Sequence, residues 1–100
     1  MYIFNADQYD ICNLKLKEIC KDKRIEFEDS EISWLLDKIK KDSESFIFYL
    51  NRKKDPNYLI AINEQRSNLT KIFKRLKEIS GLNLGIKDFV IEEKDEPEKA

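Results

Sequence analysis

The stretch from Asp55 to Leu82 constrains the fold most, because it carries both a start signal and a stop signal for one long helix. Asp55 can cap a helix with its carboxylate, and Pro56 suits the first helical position, where its missing N–H loses no hydrogen bond. Gly81 can adopt the left-handed conformation that ends a helix, and we expect Leu82 to fold back on the last turn as in a Schellman motif. The signals predict a helix over about 57–80.

The spacing of apolar residues inside this helix indicates a wide buried face. At about 100° per residue the apolar arc covers nearly half of the circumference, which is more than one partner helix normally needs. The opposite face is charged, and Lys74 and Glu78 have the spacing of a helical ion pair. The apolar set consists of Tyr58, Leu59, Ile62, Leu69, Ile72, Phe73, Leu76 and Ile79.

A second long helix is predicted over about 30–54. Its polar stretch 42–45 leaves open whether the helix is continuous or kinked there, because Ser and Asp compete for backbone hydrogen bonds. A continuous helix directs Trp34 and Phe48 away from its main apolar face, whereas a kinked helix turns both inward. Exposed aromatic side chains suit a subunit contact, so Trp34 and Phe48 are candidate residues of an oligomer interface.

A shorter N-terminal helix is predicted over about 6–22 from the helical spacing of its apolar residues. Asn5 or Asp7 offers its N-cap, and Asp29 or Ser30 offers the N-cap of the second helix. The chain is therefore expected to be mainly α, with a hairpin of two long antiparallel helices and a shorter helix packed beside it.

Arg52, Lys53 and Lys54 form the sharp turn that joins the two long helices ahead of Pro56. Such a basic run is the candidate DNA-facing cluster of the chain; the alternative is a turn that is merely solvated. The chain has net charge −1, and five acids and two lysines give its segment 92–100 a charge of −3, so residues 1–91 carry +2. That charge is small for DNA binding by one copy, but a ring would multiply it.

The last apolar run predicts one short strand over about 86–92, with Phe89 and Ile91 near its centre. A single strand needs a partner for its backbone groups, which is either the segment 1–4 or the same strand of a neighbouring subunit. In the second case Phe89 and Ile91 are candidate residues of an oligomer interface. Residues 93–100 have the composition of an acidic, disordered tail.

Length and composition favour one domain of 100 residues, predicted over 1–91. Charged residues make up 39% of the chain and glycine occurs twice, which favours long exposed helices. Histidine is absent, and Cys12 and Cys20 are expected to be reduced and buried, so we expect no catalytic residue, no cofactor and no metal site. No segment has the pattern of a signal peptide or a membrane span, which predicts a cytoplasmic protein that is not an enzyme.

The long C-terminal helix also carries a family resemblance. The order Asp55-Pro56-Asn57-Tyr58-Leu59, then Ile62-Asn63, then an amphipathic helix ending Ser80-Gly81-Leu82, resembles the C-terminal signature of the small-subunit family of tailed-phage terminases. Many members continue with Thr-Pro and an Arg, whereas this chain continues with Asn83-Leu84-Gly85-Ile86-Lys87. A function of that Arg is therefore not carried over.

The resemblance implies a ring of identical helical subunits that holds double-stranded viral DNA in the host cytoplasm. It also implies that the ring regulates a separate terminase large subunit, which carries the ATPase and nuclease, and that the C-terminal tail reaches this partner. In such rings the segment after the hairpin commonly pairs between subunits, which favours the intersubunit strand. Many members carry a separate N-terminal DNA-binding module, whereas the segment before Phe27 has room for one helix. The resemblance therefore implies either reduced DNA recognition or a trimmed variant, and it supports oligomerisation more strongly than direct DNA binding.

The same features fit a protein of another class. A small helical protein of a phage or mobile element that inhibits or regulates a host enzyme would also have an acidic balance, exposed aromatic residues and no catalytic residues. A lone DNA-reading transcription regulator fits less well, because the sequence predicts no short turn between two compact helices.

Overall fold

The computed structural model describes residues 1–93, and these are mainly helical, as the apolar spacing predicts. Together they form an elongated body of 55 × 31 × 19 Å. The elements in chain order are β1 (Tyr2–Phe4), α1 (Ala6–Asp22), α2 (Glu31–Leu50), α3 (Tyr58–Ser80), a single turn of 3-10 helix (Ile86–Asp88) and β2 (Val90–Glu92). The acidic tail predicted over 93–100 lies, apart from Glu93, outside the described residues.

Side-chain caps begin the first two helices. The Asn5 side chain accepts a hydrogen bond from the backbone N–H of Gln8 at 3.1 Å, and Ser30 Oγ accepts one from the N–H of Ser33 at 3.1 Å. Each bond satisfies a donor that the first helical turn leaves free. Of the alternatives that the sequence left open, the caps are therefore Asn5 and Ser30, while Asp29 adopts a left-handed backbone with φ +65°.

Helix α2 is continuous through the polar stretch 42–45. Asp42 and Ser43 are buried inside it, at 6% and 0% exposure, so the polar residues did not break the helix but became part of its packed face. The helix ends at Leu50, four residues before the predicted end at 54, because the backbone from Asn51 onward forms the turn of the hairpin.

Helix α3 begins at Tyr58, two residues after Pro56, which the sequence predicted to be the first helical residue. The carboxylate of Asp55 accepts a hydrogen bond from the N–H of Asn57 at 2.8 Å, and its carbonyl accepts one from the N–H of Tyr58 at 2.9 Å. Asp55 therefore closes a turn that leads into the helix, and Asn57 takes the capping position without a side-chain cap. The expectation that Pro56 is the first helical residue is wrong.

The C-terminal end of α3 has the predicted glycine in the predicted conformation. Gly81 has φ +84°, and its N–H donates to the carbonyl of Lys77 at 2.8 Å. The N–H of Leu82 donates to Ser80 Oγ at 3.2 Å instead of returning to the helix backbone. The end is thus a simple left-handed cap and not the expected Schellman motif.

The short strand at the C-terminus pairs within its own chain. β1 and β2 are antiparallel, with Tyr2 opposite Glu92, Ile3 opposite Ile91 and Phe4 opposite Val90. The segment 1–4 is therefore the partner of the strand, and the expectation of an intersubunit strand is wrong. The strand is also shorter than the predicted 86–92, because its first part is the 3-10 turn.

The core lies between the hairpin, α1 and this terminal sheet. The ring of Phe89 stacks on Phe73 of α3 at 5.8 Å between centroids and on Phe4 of β1 at 6.2 Å. Cys12 and Cys20 are free and almost fully buried on α1, as the sequence predicts. Because aromatic stacking and buried apolar area both favour this arrangement, Phe89 ties the C-terminus into the helical body.

Candidate functional site at the hairpin tip

The candidate site is the turn that joins α2 to α3. Backbone hydrogen bonds run from the N–H of Arg52 to the carbonyl of Tyr49 at 2.9 Å and from the N–H of Asp55 to the carbonyl of Arg52 at 3.0 Å. These bonds hold Arg52, Lys53 and Lys54 in consecutive tight turns with all three side chains exposed. The basic residues that the sequence singled out are thus brought together at one end of the molecule.

Arg52 is already bound to Phe48, near the end of α2. Its guanidinium carbon lies 3.7 Å from the centroid of the Phe48 ring, and its Nη1 donates to the carbonyl of Phe48 at 2.9 Å. A cation over an aromatic face is attracted by the ring quadrupole. Arg52 and Phe48 therefore form one unit on the exposed side of α2, whereas Lys53 and Lys54 extend from the turn.

The tip is anchored to the terminal sheet by Asn51. Its side-chain Oδ1 accepts a hydrogen bond from the N–H of Tyr2 at 2.8 Å, and its Nδ2 donates to the carbonyl of Tyr2 at 2.9 Å. An open groove of about 610 Å³ lies at this junction. Residues lining it include Tyr2, Asn51, Arg52, Lys53, Lys54 and Glu92. Its charge is mainly positive, with Glu92 as a carboxylate on the sheet side.

A second, smaller hollow lies at the other end of α2, beside the exposed ring of Trp34. Its volume is about 400 Å³, and three carboxylates line it, those of Glu28, Asp29 and Asp37, together with Ser30 and Ser33. Within residues 1–93 the His, Cys, Asp and Glu side chains form no group that could hold a metal ion. The hollow is therefore an acidic surface with one aromatic ring beside it.

The predicted interface residues divide into exposed and buried ones. Trp34 is 58% exposed, Phe48 47% and Ile91 37%. Phe89 is 0% exposed, so it belongs to the core of its own chain, and its assignment to an oligomer interface is corrected. Phe89 is buried because it precedes β2, which pairs with β1 of the same chain, and its ring stacks on Phe73.

Two features of the surface were not predicted. Leu59 and Ile60 are 68% and 71% exposed at the start of α3, although the sequence placed Leu59 on the buried stripe. The second feature concerns Glu78, which was expected to pair with Lys74. It instead lies 3.5 Å from Arg75, and Arg75 also donates two hydrogen bonds to Glu31 of α2, at 2.7 and 2.9 Å.

These contacts change the acid–base behaviour of several groups. The hydrogen bonds from Arg75 lower the pKa of the Glu31 carboxyl, and the same bonds raise the pKa of Arg75. Burial raises the pKa of the Cys12 and Cys20 thiols. Because a thiolate is the reactive form of cysteine, both thiols are poorly suited to nucleophilic chemistry. The site offers cationic and aromatic contacts, which suit binding.

The chain was compared with models of protein families, with curated proteins and with solved structures, and no match was found in any of the three. Within residues 1–93, no helix is both long enough and apolar enough to cross a membrane. The functional proposal therefore rests on the hairpin tip and on the exposed side of α2.

Proposed function

We propose that the chain is a small-terminase-like subunit of a viral DNA-packaging motor that assembles with copies of itself in the host cytoplasm. The observation that carries the proposal is the exposure of Trp34 and Phe48 on a helix whose other side is packed in the core. Exposed aromatic residues are enriched where protein surfaces meet. We assign the packaging function to this assembly because the segment from Asp55 to Leu82 resembles terminase small subunits.

The basic tip is the surface that we propose for double-stranded DNA. Lys53 and Lys54 are exposed and flank the groove beside the terminal sheet, so phosphates can approach them from solvent. Arg52 adds its charge but is held on Phe48. Phosphate neutralisation by a few cations gives weak binding that does not depend on sequence, and repetition around a ring strengthens it.

Binding of a labelled double-stranded DNA fragment, followed by fluorescence anisotropy at several salt concentrations, tests this surface. Replacing Lys53 and Lys54 by Gln should weaken binding and reduce the slope of log K against log salt by about 0.9 for each lysine lost. Lys71 and Lys74 are exposed on α3 away from the tip, so their replacement by Gln is the matched control. Equal losses in both variants, or no binding by the native chain, would contradict the DNA role.

Regulation of the large subunit is the remaining part of the proposal. On this account the full chain changes the ATPase rate of the large terminase encoded beside it, and this activity requires the assembled form. ATP hydrolysis by the purified large subunit, with and without the chain, measures the effect. An unchanged rate at saturating chain would remove the packaging role while leaving self-assembly intact.

The acidic hollow beside Trp34 favours a second candidate function, regulation of a host enzyme. Three carboxylates and an exposed indole form a surface that suits a basic partner. Capture of one host protein by the native chain, lost in Trp34→Ala and kept in Leu14→Ala, would favour this function. Leu14 is 64% exposed on α1, so its replacement controls for the loss of an exposed apolar side chain.

A further inference from the structure

The exposed side of α2 forms a continuous stripe with aromatic residues toward both ends. At about 100° per residue, positions 34, 38, 41, 45 and 48 of α2 fall within about 80° of the circumference. Arg52, in the turn beyond the end of the helix, stacks on Phe48 at the end of this stripe. Trp34 and Phe48 lie on this stripe about 21 Å apart along the helix axis, at 1.5 Å per residue. The buried residues of α2 lie on the other side of the helix, and Trp34 and Phe48 of the stripe lie outside the core cluster.

The two ends of the stripe have opposite charge. Beside Trp34 lie the carboxylates of Glu28, Asp29 and Asp37, and no basic side chain of the described residues lines that hollow. Beside Phe48 lies Arg52, followed by Lys53 and Lys54. One molecule therefore carries two complementary surfaces at the two ends of a single straight helix.

We propose that this stripe pairs antiparallel with the same stripe of a second copy of the chain. In an antiparallel pair Trp34 meets Phe48 of the second copy at both ends, and each acidic hollow meets a basic tip. A parallel pair would place acid against acid and base against base, which is unfavourable. The antiparallel arrangement also opposes the two helix dipoles, and its two-fold axis passes near Lys41, midway between the aromatic residues.

The chemistry of the stripe sets the character of this contact. Its middle consists of Lys38, Lys41 and Ser45, so the apolar area comes from the two aromatic residues of each copy. A small polar interface of this kind is typical of a reversible association. Since opposite charges at exposed ends are screened by ions, the pair should weaken as salt is added. The contact rests on the homo-oligomer of the proposed function and names one surface within it: a two-fold contact pairs two copies, and a ring would join such pairs through a second surface.

A disulfide trap in the full chain tests the register. Lys41→Cys should form a covalent dimer under mild oxidation, because the two copies of residue 41 face each other across the axis. Lys71→Cys, also an exposed lysine but on α3, is the control, and the native chain controls for its buried Cys12 and Cys20. A dimer yield for Lys41→Cys no higher than for Lys71→Cys would overturn the antiparallel pair.

Side-chain variants measured by sedimentation equilibrium provide the second readout. Trp34→Ala and Phe48→Ala should each weaken self-association by about tenfold, as expected for aromatic residues that supply most of the apolar contact area of an interface. Leu14→Ala and Leu59→Ala remove equally exposed apolar side chains elsewhere and should leave it unchanged. Self-association that survives both aromatic replacements would overturn the inference, whatever the DNA measurements give.

Charge reversal distinguishes this specific contact from nonspecific association. Arg52→Glu alone, and Glu28→Lys with Asp37→Lys, should each weaken the pair, and the three changes combined in one chain should restore it. If the combined variant fails to regain self-association, the proposed pairing of opposite charges is contradicted. If the native chain assembles but none of these variants alters it, the homo-oligomer of the proposed function stands and the α2 contact fails; a native chain that never associates contradicts both.

Discussion

Asn51, at the C-terminal end of α2, pairs its side-chain amide with both backbone groups of Tyr2, at 2.8 and 2.9 Å. Tyr2 lies opposite Glu92 in the sheet, while the neighbouring positions bond across the strands, so its N–H and carbonyl point away from β2. The Asn51 amide takes the place that a further strand would occupy. It thereby links the hairpin tip to the terminal sheet and holds the basic turn beside β1.

Asn51→Ala should release β1 from the tip. Loss of two exposed hydrogen bonds is expected to lower the free energy of unfolding by about 1 kcal/mol. Hydrogen exchange of the Tyr2 amide should accelerate more than that of amides in α3. Asn63→Ala, an exposed position on α3, serves as the control, and equal protection of Tyr2 in both variants would contradict the role of Asn51.

Ser43→Ala should stabilise the protein. Ser43 is 0% exposed, and its Oγ has no hydrogen-bond partner among residues 1–93. A buried hydroxyl without a partner costs about 1–3 kcal/mol, and Ala also favours the helix more than Ser, so the gain should be about 1 kcal/mol or more. Thermal or urea unfolding measures it, with Ser45→Ala as a less buried control. A loss of stability in Ser43→Ala would refute this account of the site.

The Glu31–Arg75 pair predicts a specific dependence on pH. The folded state lowers the pKa of Glu31 below its ordinary value of 4.5, so the pair stabilises the fold above that value. The contribution is lost as the pH falls through the lowered pKa. Glu31→Gln should therefore be less stable than the native chain near neutral pH and equally stable in strong acid.

Both side chains of this pair are about half exposed, so the difference should be modest and should shrink with added salt. Melting temperatures of the two proteins across the acid range provide the measurement. A difference that stays constant with pH would show that the pair does not titrate as the geometry requires.

Cys12 and Cys20 should resist thiol reagents in the folded protein. Both are 1% exposed, and burial raises the pKa of both thiols, so little thiolate is present or accessible at neutral pH. The native chain should react with a chromogenic disulfide reagent only at the rate of unfolding, whereas the exposed cysteine of Lys71→Cys, on α3, should react at once. Rapid reaction of the native thiols would mean that α1 opens readily from α2.

Local signals predicted most of the helical architecture. The periodic apolar residues place α1 over Ala6–Asp22 as expected, and Gly81 ends α3 where its conformational freedom allows. These features depend on residues close in sequence, which is why a sequence reveals them. The sequence left open whether α2 is continuous or kinked, and the exposure of Trp34 and Phe48 is the outcome of the continuous alternative, in which both lie off the main stripe.

Contacts between distant residues could not be predicted in the same way. The pairing of Phe4 with Val90 and the burial of Phe89 depend on how the two ends of the chain meet in space. The exposure of Leu59 depends on which part of α3 the other elements cover, and the apolar spacing of α3 alone does not show this. At the candidate site the basic residues were predicted from sequence, but the stacking of Arg52 on Phe48 was not.

Native mass tests the central claim most directly, which is that the exposed side of α2 is a surface between copies of this chain. Light scattering on the purified full chain, at tens of micromolar and low salt, should give the mass of two chains or of a larger assembly of such pairs, and this mass should fall as salt is added. A single species with the mass of one chain under these conditions would contradict the account.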